Sequence, residues 1–354
     1  MKRFLGRWSE ANLPLIIAEI GVNHNGDVRL AKQMIDSAKE SGADIVKFQT
    51  FVTDRLVGRN VKLAEYQSRN LGQQISQYEM IRAMELSTAD MVELHEYCRQ
   101  NGVAYLSSVG DVESVDFLCN MGVDAIKIGS GDLTNLPFLR YVAKTGRSVL
   151  LSTGMGTLGE VEAAIMALEE ADCDDIILFH CTSNYPTPYD EVNLRAMNTL
   201  RAAFQLPVGY SDHTLGYEVA LGATALGAVA IEKHFTLDKS LLGPDHRASM
   251  TPDEFHAMVE SVKNLSSALG VARKKPTDSE LIMRSKVRKS LVASQFIPEG
   301  SVIELNMLST MRVGSGLAPA LEEIIVGARV KRSIAPGEAL ALDMFDFSRK
   351  DRSS

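Results

Sequence analysis

Residues 207–236 have the sequence PVGYSDHTLGYEVALGATALGAVAIEKHFT and contain one complete strand–helix–strand unit. Short apolar segments at Pro207–Tyr210 and Val229–His234 predict buried strands. The stretch Tyr217–Leu226 between them predicts a helix, which ends at Gly227 as a C-terminal cap. This order of elements predicts two parallel strands joined by a right-handed crossover.

The same alternation of strand and helix runs through most of the chain. Further helical stretches include Arg29–Ser41, Ala89–Asn101 and Gly159–Ala171. Eight βα units in succession predict an α/β fold with a parallel sheet, and their number fits a (β/α)8 TIM barrel better than an open sheet. The longest connection, roughly Phe51 to Ser87, follows the second strand and is expected to cover the mouth of the barrel. The other predicted strands are Leu15–Ile20, Asp44–Gln49, Val103–Ser108, Ala125–Ile128, Ser148–Ser152 and Asp175–His180.

The βα pattern stops after the predicted helix Asp253–Leu269. Beyond it, Ile297–Leu308 (IPEGSVIELNML) and Ile334–Phe345 (IAPGEALALDMF) resemble each other. Each predicts a strand, a glycine turn, a short strand and a helical turn, so a duplicated small β-rich domain is expected from about Ser290 to Phe347. A cap that only stabilises the barrel is the alternative to a functional role for it. The expected organisation is a catalytic barrel at 1–272, a linker at 273–289 and the small domain at 290–354.

Composition limits the partners and the compartment. With 45% hydrophobic and 23% charged residues, the 354-residue chain can bury a large core, and its net charge of −8 argues against nucleic acid as the main partner. The N-terminal segment lacks an apolar signal sequence, and no segment approaches the roughly 18 apolar residues of a membrane span. A soluble cytoplasmic protein is expected, since the cysteines form no CxxC pair. They are Cys98, Cys119, Cys173 and Cys181.

Charged and polar side chains share one face of several predicted strands. Successive side chains of a strand point to opposite faces, and charges that point into a sheet interior are costly unless they are paired or meet an anionic ligand. Catalytic groups of a TIM barrel lie at the carboxyl ends of its strands, so these positions predict an active site. The candidates are Glu19, Lys47, Gln49, Ser108, Lys127, Ser130, Ser152, Ser211, His213, Glu232 and His234.

Two lysines and a glycine motif predict a site for an anion. Lys47 and Lys127 lie beside several hydroxyl groups and suit a phosphate or a carboxylate, whereas buried ion pairs with Glu19 or Glu232 are the structural alternative. Glycines at 154 and 156 follow a strand and precede a helix, which also favours anion binding.

His213 and His234 are one βα unit apart and are expected at neighbouring strand ends. Two neutral imidazoles with a carboxylate or a bound water suit a divalent metal, and acid–base work is the other use of such a pair. Glu232 precedes His234 by two residues and shares its face.

Seven short motifs are spread over nearly the whole chain. They are Ile17–Gly26 (IAEIGVNHNG), Lys47–Thr50 (KFQT), Lys127–Asp132 (KIGSGD), Leu151–Met155 (LSTGM), Tyr185–Pro188 (YPTP), Tyr210–Thr214 (YSDHT) and Gly243–Asp245 (GPD). In combination they resemble the sialic acid synthase family, and the C-terminal segment resembles that family's antifreeze-like SAF domain, a β-clip fold. The resemblance implies condensation of phosphoenolpyruvate with an N-acyl hexosamine to give a nine-carbon 2-keto acid and phosphate. It also implies Mn²⁺ or Mg²⁺ and a domain-swapped homodimer in which each SAF domain covers the partner's barrel.

The resemblance also implies roles for single residues. Glu19 is implied as the acid/base residue, and Lys127, Gln49 and Glu232 complete the expected catalytic set. His213 and His234 are the implied metal ligands. The implied phosphoenolpyruvate-binding residues are Lys47, Ser108, Lys127, Ser130, Ser152, Ser183 and Ser211. The implied sugar-binding residues are Gln49, Tyr185, Asp245 and, in the small domain, Arg312.

Two departures from the family bear on the sugar. Many members have Ser-Thr-Pro-Phe after the third strand, where this chain has Ser107-Ser108-Val109-Gly110, and Asp132 replaces a glutamate. N-acetylmannosamine is the default substrate, and a 2,4-diacetamido-6-deoxy-mannose, as in legionaminate synthesis, is the main alternative. A Schiff-base aldolase that uses Lys127 or Lys47 and a non-catalytic carbohydrate-binding protein are the more remote alternatives.

Overall fold

The computed structural model describes residues 4, 6, 13–63, 67, 68, 70 and 75–348. The chain divides after Gly270 into two compact units, Met1–Gly270 and Val271–Ser354. The first unit carries the predicted strand–helix alternation, and the second carries the predicted repeat.

The first unit is a closed barrel of eight parallel strands in sequence order, as the sequence predicts. The last strand pairs with the first, so that Glu19 lies beside both Lys47 and His234 in the ladder. Closure therefore brings residues more than 200 positions apart to one rim. The strands are β1 (Leu15–Gly21), β2 (Ile45–Gln49), β3 (Ala104–Val109), β4 (Ala125–Ile128), β5 (Ser148–Ser152), β6 (Ile176–His180), β7 (Val208–Asp212) and β8 (Ala230–His234).

Helices surround the barrel because their apolar stripes face the outer side of the strands. Their ends follow local sequence signals. Asp27, for example, accepts hydrogen bonds from the first amides of one helix, and Gly102 ends another in the left-handed conformation at φ 67°. The helices of this unit are α1 (Val28–Glu40), α2 (Thr53–Leu56), α3 (Gln77–Met84), α4 (Thr88–Asn101), α5 (Val112–Met121), α6 (Leu136–Ala143), α7 (Leu158–Glu169), α8 (Ala196–Phe204), α9 (Glu218–Ala225) and α10 (Pro252–Leu269).

The interior of the barrel is apolar at one end and polar at the other. Inward-facing side chains such as Leu15, Ile45, Leu150 and Phe179 pack together in the lower layers. The polar strand ends lie above this packed floor. The floor therefore holds the ends of the strands in fixed positions for a site at the carboxyl face.

The long connection after β2 contains ordered helices in its described parts. Residues 51–87 include α2 and α3, and a capping box between Ser76 and Glu79 begins α3. Met80 and Met84 of α3 pack against Val22 and Phe51 at the barrel mouth. The connection thus adds an apolar side to a rim that is otherwise polar.

The segment expected as a linker at 273–289 contains a helix, α11 (Asp278–Val287), which begins with a capping box at Thr277. Polar composition alone suggested an irregular linker, but Thr277 and Glu280 supply a helix start signal. Beyond it lie β9 (Ser290–Ala293), β10 (Leu308–Met311), α12 (Glu322–Ile325), β11 (Arg329–Val330) and β12 (Phe345–Asp346).

The predicted duplication in the second unit is confirmed by its hydrogen bonds. Ile297 and Ile334, equivalent positions of the two copies, exchange both backbone hydrogen bonds, at 3.0 and 2.9 Å. Both copies turn at a glycine with positive φ, Gly300 at 80° and Gly337 at 76°. The two copies therefore form one pseudo-twofold β unit around a shared apolar core.

Among the helices of the described residues, none has the length and apolar character needed to cross a membrane. The four cysteines are free thiols.

Candidate active site

A cavity of about 410 Å³ opens at the carboxyl ends of the barrel strands. Its volume suits a small-molecule site. One residue with a predicted role belongs to the second unit and not to the barrel: Arg312, which follows β10 and is exposed. Every barrel residue with a role predicted from the sequence lines this cavity: Glu19, Lys47, Gln49, Ser108, Lys127, Ser130, Ser152, Ser183, Tyr185, Ser211, His213, Glu232, His234 and Asp245.

Four charged side chains, Glu19, Lys47, Glu232 and Lys127, form a row across the cavity floor, here called the charge row. Lys47 Nζ lies 2.7 Å from Glu19 Oε2 and 3.6 Å from Glu232 Oε1, and Lys127 Nζ lies 3.0 Å from Glu232 Oε2. All four are buried. The ion pairs left open as the structural alternative are therefore present, and they line the cavity where a ligand would meet both ammonium groups.

The two carboxylates of the charge row have different electrostatic surroundings. Burial raises the pKa of Glu19 to about 7, against the opposing effect of Lys47, and the nearby Glu232 raises it further. Burial also acts to raise the pKa of Glu232, but Lys127, Lys47 and the Ser211 hydroxyl outweigh it and lower that pKa. Glu19 is therefore able to carry a proton near neutral pH while Glu232 stays ionised. Such a divergence is typical of acid–base sites.

Serine hydroxyls surround the lysines. Ser211 Oγ donates to Glu232 Oε1 at 2.9 Å, and the Gly154 amide donates to Ser130 Oγ at 3.0 Å. A Cβ atom at position 154 would lie 2.5 Å from Ser183 Oγ and 2.7 Å from Ser130 Oγ. The glycine is thus required for these hydroxyls to approach each other.

The helix after Gly154 begins with a capping box in which Thr157 and Glu160 engage each other's amides. Gly154 itself leaves room for the hydroxyls of Ser130 and Ser183 beside the backbone. Anion binding at this helix N-terminus stays a prediction.

His213 and His234 face each other, with ring centroids 5.6 Å apart. His213 Nδ1 lies 2.7 Å from the Thr182 carbonyl, which fixes Nδ1 as the donor and leaves Nε2 with a lone pair. His234 Nδ1 is buried without a hydrogen-bond partner. Burial lowers the pKa of both imidazoles, so both are neutral near pH 7.

This pair fits a divalent cation. Two neutral imidazole nitrogens suit a transition-metal ion such as Mn²⁺, provided that water or substrate oxygens complete its coordination. Among the described residues no group of three or more His, Cys, Asp or Glu side chains is placed to hold a metal ion.

Three further side chains border the histidines and the charge row. The Tyr185 ring lies 4.2 Å from the His213 ring, centroid to centroid. Gln49 Nε2 donates to Glu19 Oε1 at 3.1 Å. Burial raises the pKa of Asp245 to about 6. These groups offer hydrogen bonds to a polyhydroxylated or amide-bearing ligand.

One side of the cavity carries no motif that predicted it. Six side chains, here called the apolar wall, come from the segments after β1 and β2, from α2 and from α3. Polar residues at strand ends predict catalytic groups, whereas these six side chains are apolar and most of them lie in the connection after β2. Cys181, which follows β6 directly, is buried with its Sγ 3.3 Å from Ser130 Oγ and was not predicted as a site residue. The apolar wall consists of Val22, Phe51, Leu56, Met80, Ile81 and Met84.

The departure at Gly110 borders this wall. A Cβ atom at Gly110 would lie 3.3 Å from Leu56 Cδ1 and 3.4 Å from Asp132 Oδ2. Leu56 and Asp132 therefore approach the position from which a larger side chain would project.

The chain is similar to known proteins over most of its length. The chain matches the NeuB family over residues 34–274 and the SAF domain over residues 288–346. It is 47% identical to the N,N'-diacetyllegionaminic acid synthase of Legionella pneumophila, with 92% of each chain covered. It is 35% identical to the N-acetylneuraminate-9-phosphate synthase of Homo sapiens, with 96% of this chain and 95% of the relative covered.

The fold is shared as well. The crystal structure of N-acetylneuraminic acid (sialic acid) synthetase from Leptospira borgpetersenii in complex with citrate superposes with a TM-score of 0.67. That match has 32% identity and covers 78% of this chain and 93% of the other. The chain belongs to the NeuB family of phosphoenolpyruvate-condensing, carbon–carbon bond-forming sugar acid synthases and carries a C-terminal SAF domain.

Proposed function

We propose that this enzyme condenses phosphoenolpyruvate and water with a 2,4-diacetamido-6-deoxy-mannose to give a nine-carbon 2-keto acid of the legionaminate type and phosphate. The observation that carries the reaction is the joining of the charge row and the two histidines in one cavity. The sugar differs from the default predicted from the sequence, N-acetylmannosamine, which becomes the second candidate.

Lys47 and Lys127 are the anion-binding groups of this proposal. Each already pairs with a carboxylate, and each lines the cavity. Phosphate and carboxylate oxygens of phosphoenolpyruvate would compete with Glu19 for Lys47. That competition weakens the stabilisation of ionised Glu19 and favours its protonated form. The hydroxyls of Ser130, Ser183 and Ser211 complete the cradle.

Glu19 is the proton donor. Carbon 3 of phosphoenolpyruvate attacks the open-chain aldehyde of the sugar, and the new alkoxide takes the proton from the Glu19 carboxyl. Gln49 donates to Glu19 Oε1 and thereby holds that carboxyl in place. Water then adds at carbon 2, and phosphate leaves toward the two ammonium groups, which stabilise its charge.

His213 and His234 are the proposed ligands of Mn²⁺ or Mg²⁺. When bound, the metal ion would polarise the aldehyde oxygen as a Lewis acid. The protein's own contribution is to hold two neutral imidazoles toward one cavity, with the Thr182 carbonyl fixing the tautomer of His213.

The apolar wall favours a sugar with few exposed hydroxyl groups. A 2,4-diacetamido-6-deoxy sugar presents a C6 methyl and two acetyl methyls, which gain from contact with Met80, Ile81 and Met84. Among the described residues that line the cavity, Lys47 and Lys127 are the only lysines and no arginine is present. Nothing there besides the charge row suits a 6-phosphate. The higher identity to the legionaminic acid synthase, 47% against 35%, supports the same sugar.

A homodimer is part of the proposal, with Arg312 of one chain reaching the sugar held by the other. It rests on the family resemblance.

Phosphate release tests the proposal. The enzyme is supplied with phosphoenolpyruvate, Mn²⁺ and, in separate assays, the 2,4-diacetamido-6-deoxy sugar, N-acetylmannosamine or its 6-phosphate. We expect the highest kcat/KM with the diacetamido sugar, no phosphate release after chelation of the metal, and a raised KM for phosphoenolpyruvate in Lys127→Met. A higher kcat/KM with N-acetylmannosamine would make that sugar the substrate in place of the diacetamido sugar. No phosphate release with any of the three sugars would refute the reaction.

A further inference from the structure

Two buried charges lie on the outer face of the barrel, directly beside the proposed metal ligands. Asp212 ends β7 and Lys233 is the penultimate residue of β8, and they are partners in the strand ladder. Because side chains alternate, both point away from the cavity that His213 and His234 line. Their side chains are almost completely buried, with exposed fractions of 0% and 1%.

These charges join the ends of two strands through a closed set of hydrogen bonds. Lys233 Nζ donates to Asp212 Oδ2 at 2.9 Å and to the Thr214 carbonyl at 2.6 Å. Asp212 Oδ1 accepts from the Thr214 amide at 2.9 Å and from its hydroxyl at 2.8 Å. We call Asp212, Thr214 and Lys233 the outer clamp.

The outer clamp encloses the backbone of His213. Strand β7 ends at Asp212, so His213 lies beyond the last ladder pair. Its neighbours on both sides, Asp212 and Thr214, are held by Lys233. On the other strand, Lys233 directly precedes His234, whose backbone is fixed by the ladder with β1. One ammonium group therefore links the backbones that carry both imidazoles.

Fold stability alone does not account for this ion pair. The preceding outward positions of the same strands, Tyr210 and Ile231, are apolar and buried against the helices. A buried ion pair loses its charges' hydration, and well-packed apolar residues often serve stability as well or better. What the ion pair adds is a fixed geometry, since its bonds have defined lengths and directions.

We propose that the outer clamp is a positioning device that sets the separation and direction of the His213 and His234 imidazoles for a shared divalent cation. The inference rests on the proposed metal site. Neither Asp212 nor Lys233 touches the substrate or the cation; each acts through the histidine next to it. Groups that orient metal ligands in this way typically contribute about 10- to 100-fold to metal affinity.

Mn²⁺ titration of the full-length protein, followed by calorimetry and by the electron paramagnetic resonance signal of free Mn²⁺, tests the clamp without turnover. Lys233→Met removes both bonds to Asp212 and Thr214. The double variant Asp212→Asn/Lys233→Met removes both charges but keeps an oxygen acceptor for the Thr214 amide, so it carries no unpaired buried charge. Lys239→Met is the matched control, because Lys239 forms a partly exposed ion pair with Glu254 in the connection after β8. Thermal melts establish that each variant is folded at the titration temperature.

We expect both clamp variants to bind Mn²⁺ about 10- to 100-fold more weakly than the wild type, with Lys239→Met unchanged. Should Lys233→Met fail to fold, the double variant decides. Folded clamp variants with wild-type Mn²⁺ affinity and a lowered melting temperature would reduce the clamp to a structural role and overturn the inference. If wild-type protein binds Mn²⁺ and His213→Ala binds it equally well, the metal assignment itself fails, and the clamp proposal with it.

Discussion

Glu19 and Glu232 show how two neighbouring carboxylates acquire different tasks. Both lie within ion-pair distance of Lys47, at 2.7 and 3.6 Å. Glu232 has a second cation, Lys127, and a hydroxyl donor in Ser211, whereas Glu19 has the Gln49 amide. The extra positive charge keeps Glu232 ionised and leaves Glu19 as the group that exchanges a proton near neutral pH.

This difference predicts the pH dependence of the reaction. Glu19 is a proton donor only in its protonated form, which is present below its pKa of about 7 and lost above it. We therefore expect kcat/KM to fall as pH rises through 7. Glu19→Gln should lower kcat by about 10²- to 10⁴-fold and abolish this alkaline decline. The measurement is phosphate release across pH 5.5–9, a range of about three units around that pKa, at saturating Mn²⁺.

Glu93→Gln is the matched control, since Glu93 forms an ion pair with Lys32 on the helical surface. Its pH profile should follow that of the wild type. An alkaline decline that persists in Glu19→Gln would assign the titration to another group.

At the scale of elements, α3 supplies three of the six side chains of the apolar wall. Met80, Ile81 and Met84 reach the cavity from one face of this helix. Met84→Gln keeps the side-chain length but places an amide against the sugar. We expect the ratio of kcat/KM for the diacetamido sugar over N-acetylmannosamine to fall about tenfold, the scale of a changed apolar contact in a specificity pocket.

Met166→Gln is the control, because Met166 lies exposed on α7, with half of its surface accessible. Parallel assays with the two sugars give the ratio for each variant. An unchanged ratio in Met84→Gln would show that α3 does not select the sugar.

The strands of the site were predictable, whereas α3 was not. The alternation of side chains in β2, β4, β7 and β8 fixes which face each residue occupies, so Lys47, Lys127, His213 and Glu232 could be placed at one cavity before the structure was known. Alternation does not fix distances. It left open whether the lysines pair with Glu19 and Glu232, which depends on strand register and barrel closure.

Side chains such as Met84 follow a different rule. Their place in the cavity depends on how the connection after β2 folds back over the rim, and a short amphipathic helix has the same pattern wherever it packs. The outer clamp was overlooked for a related reason. Asp212 and Lys233 lie on the outer face of the strands, where side-chain alternation predicts apolar packing against the helices.

At the scale of the whole molecule, the chain is acidic, whereas its cavity holds a local concentration of positive charge. The net charge of −8 repels an anion at long range, so the proposed binding of phosphoenolpyruvate depends on Lys47 and Lys127, the two lysines among the described lining residues. The C-terminal SAF domain carries Arg312, which is exposed. The family resemblance assigns Arg312 to the sugar of a second chain.

Mixed dimers test this assignment. A chain with Arg312→Ala is combined with a differently tagged chain with Glu19→Gln, and dimers that carry both tags are isolated. If Arg312 acts on the partner's barrel, one of the two sites in each mixed dimer has both Glu19 and Arg312. An unsorted equal mixture should then recover about a quarter of the wild-type activity, since half of the dimers are mixed and each has one intact site.

Arg332→Ala is the control, because Arg332 is an exposed arginine of the same domain that pairs with Glu338. It should keep full activity without complementation. Isolated mixed dimers without activity would place Arg312 on its own barrel. Activity in the Arg312→Ala chain alone would mean that Tyr185, Gln49 and Asp245 bind the sugar without Arg312. In the expected case, each barrel binds phosphoenolpyruvate with its own residues but depends on a second chain for its sugar, so dissociation of the dimer raises the KM of the sugar more than that of phosphoenolpyruvate.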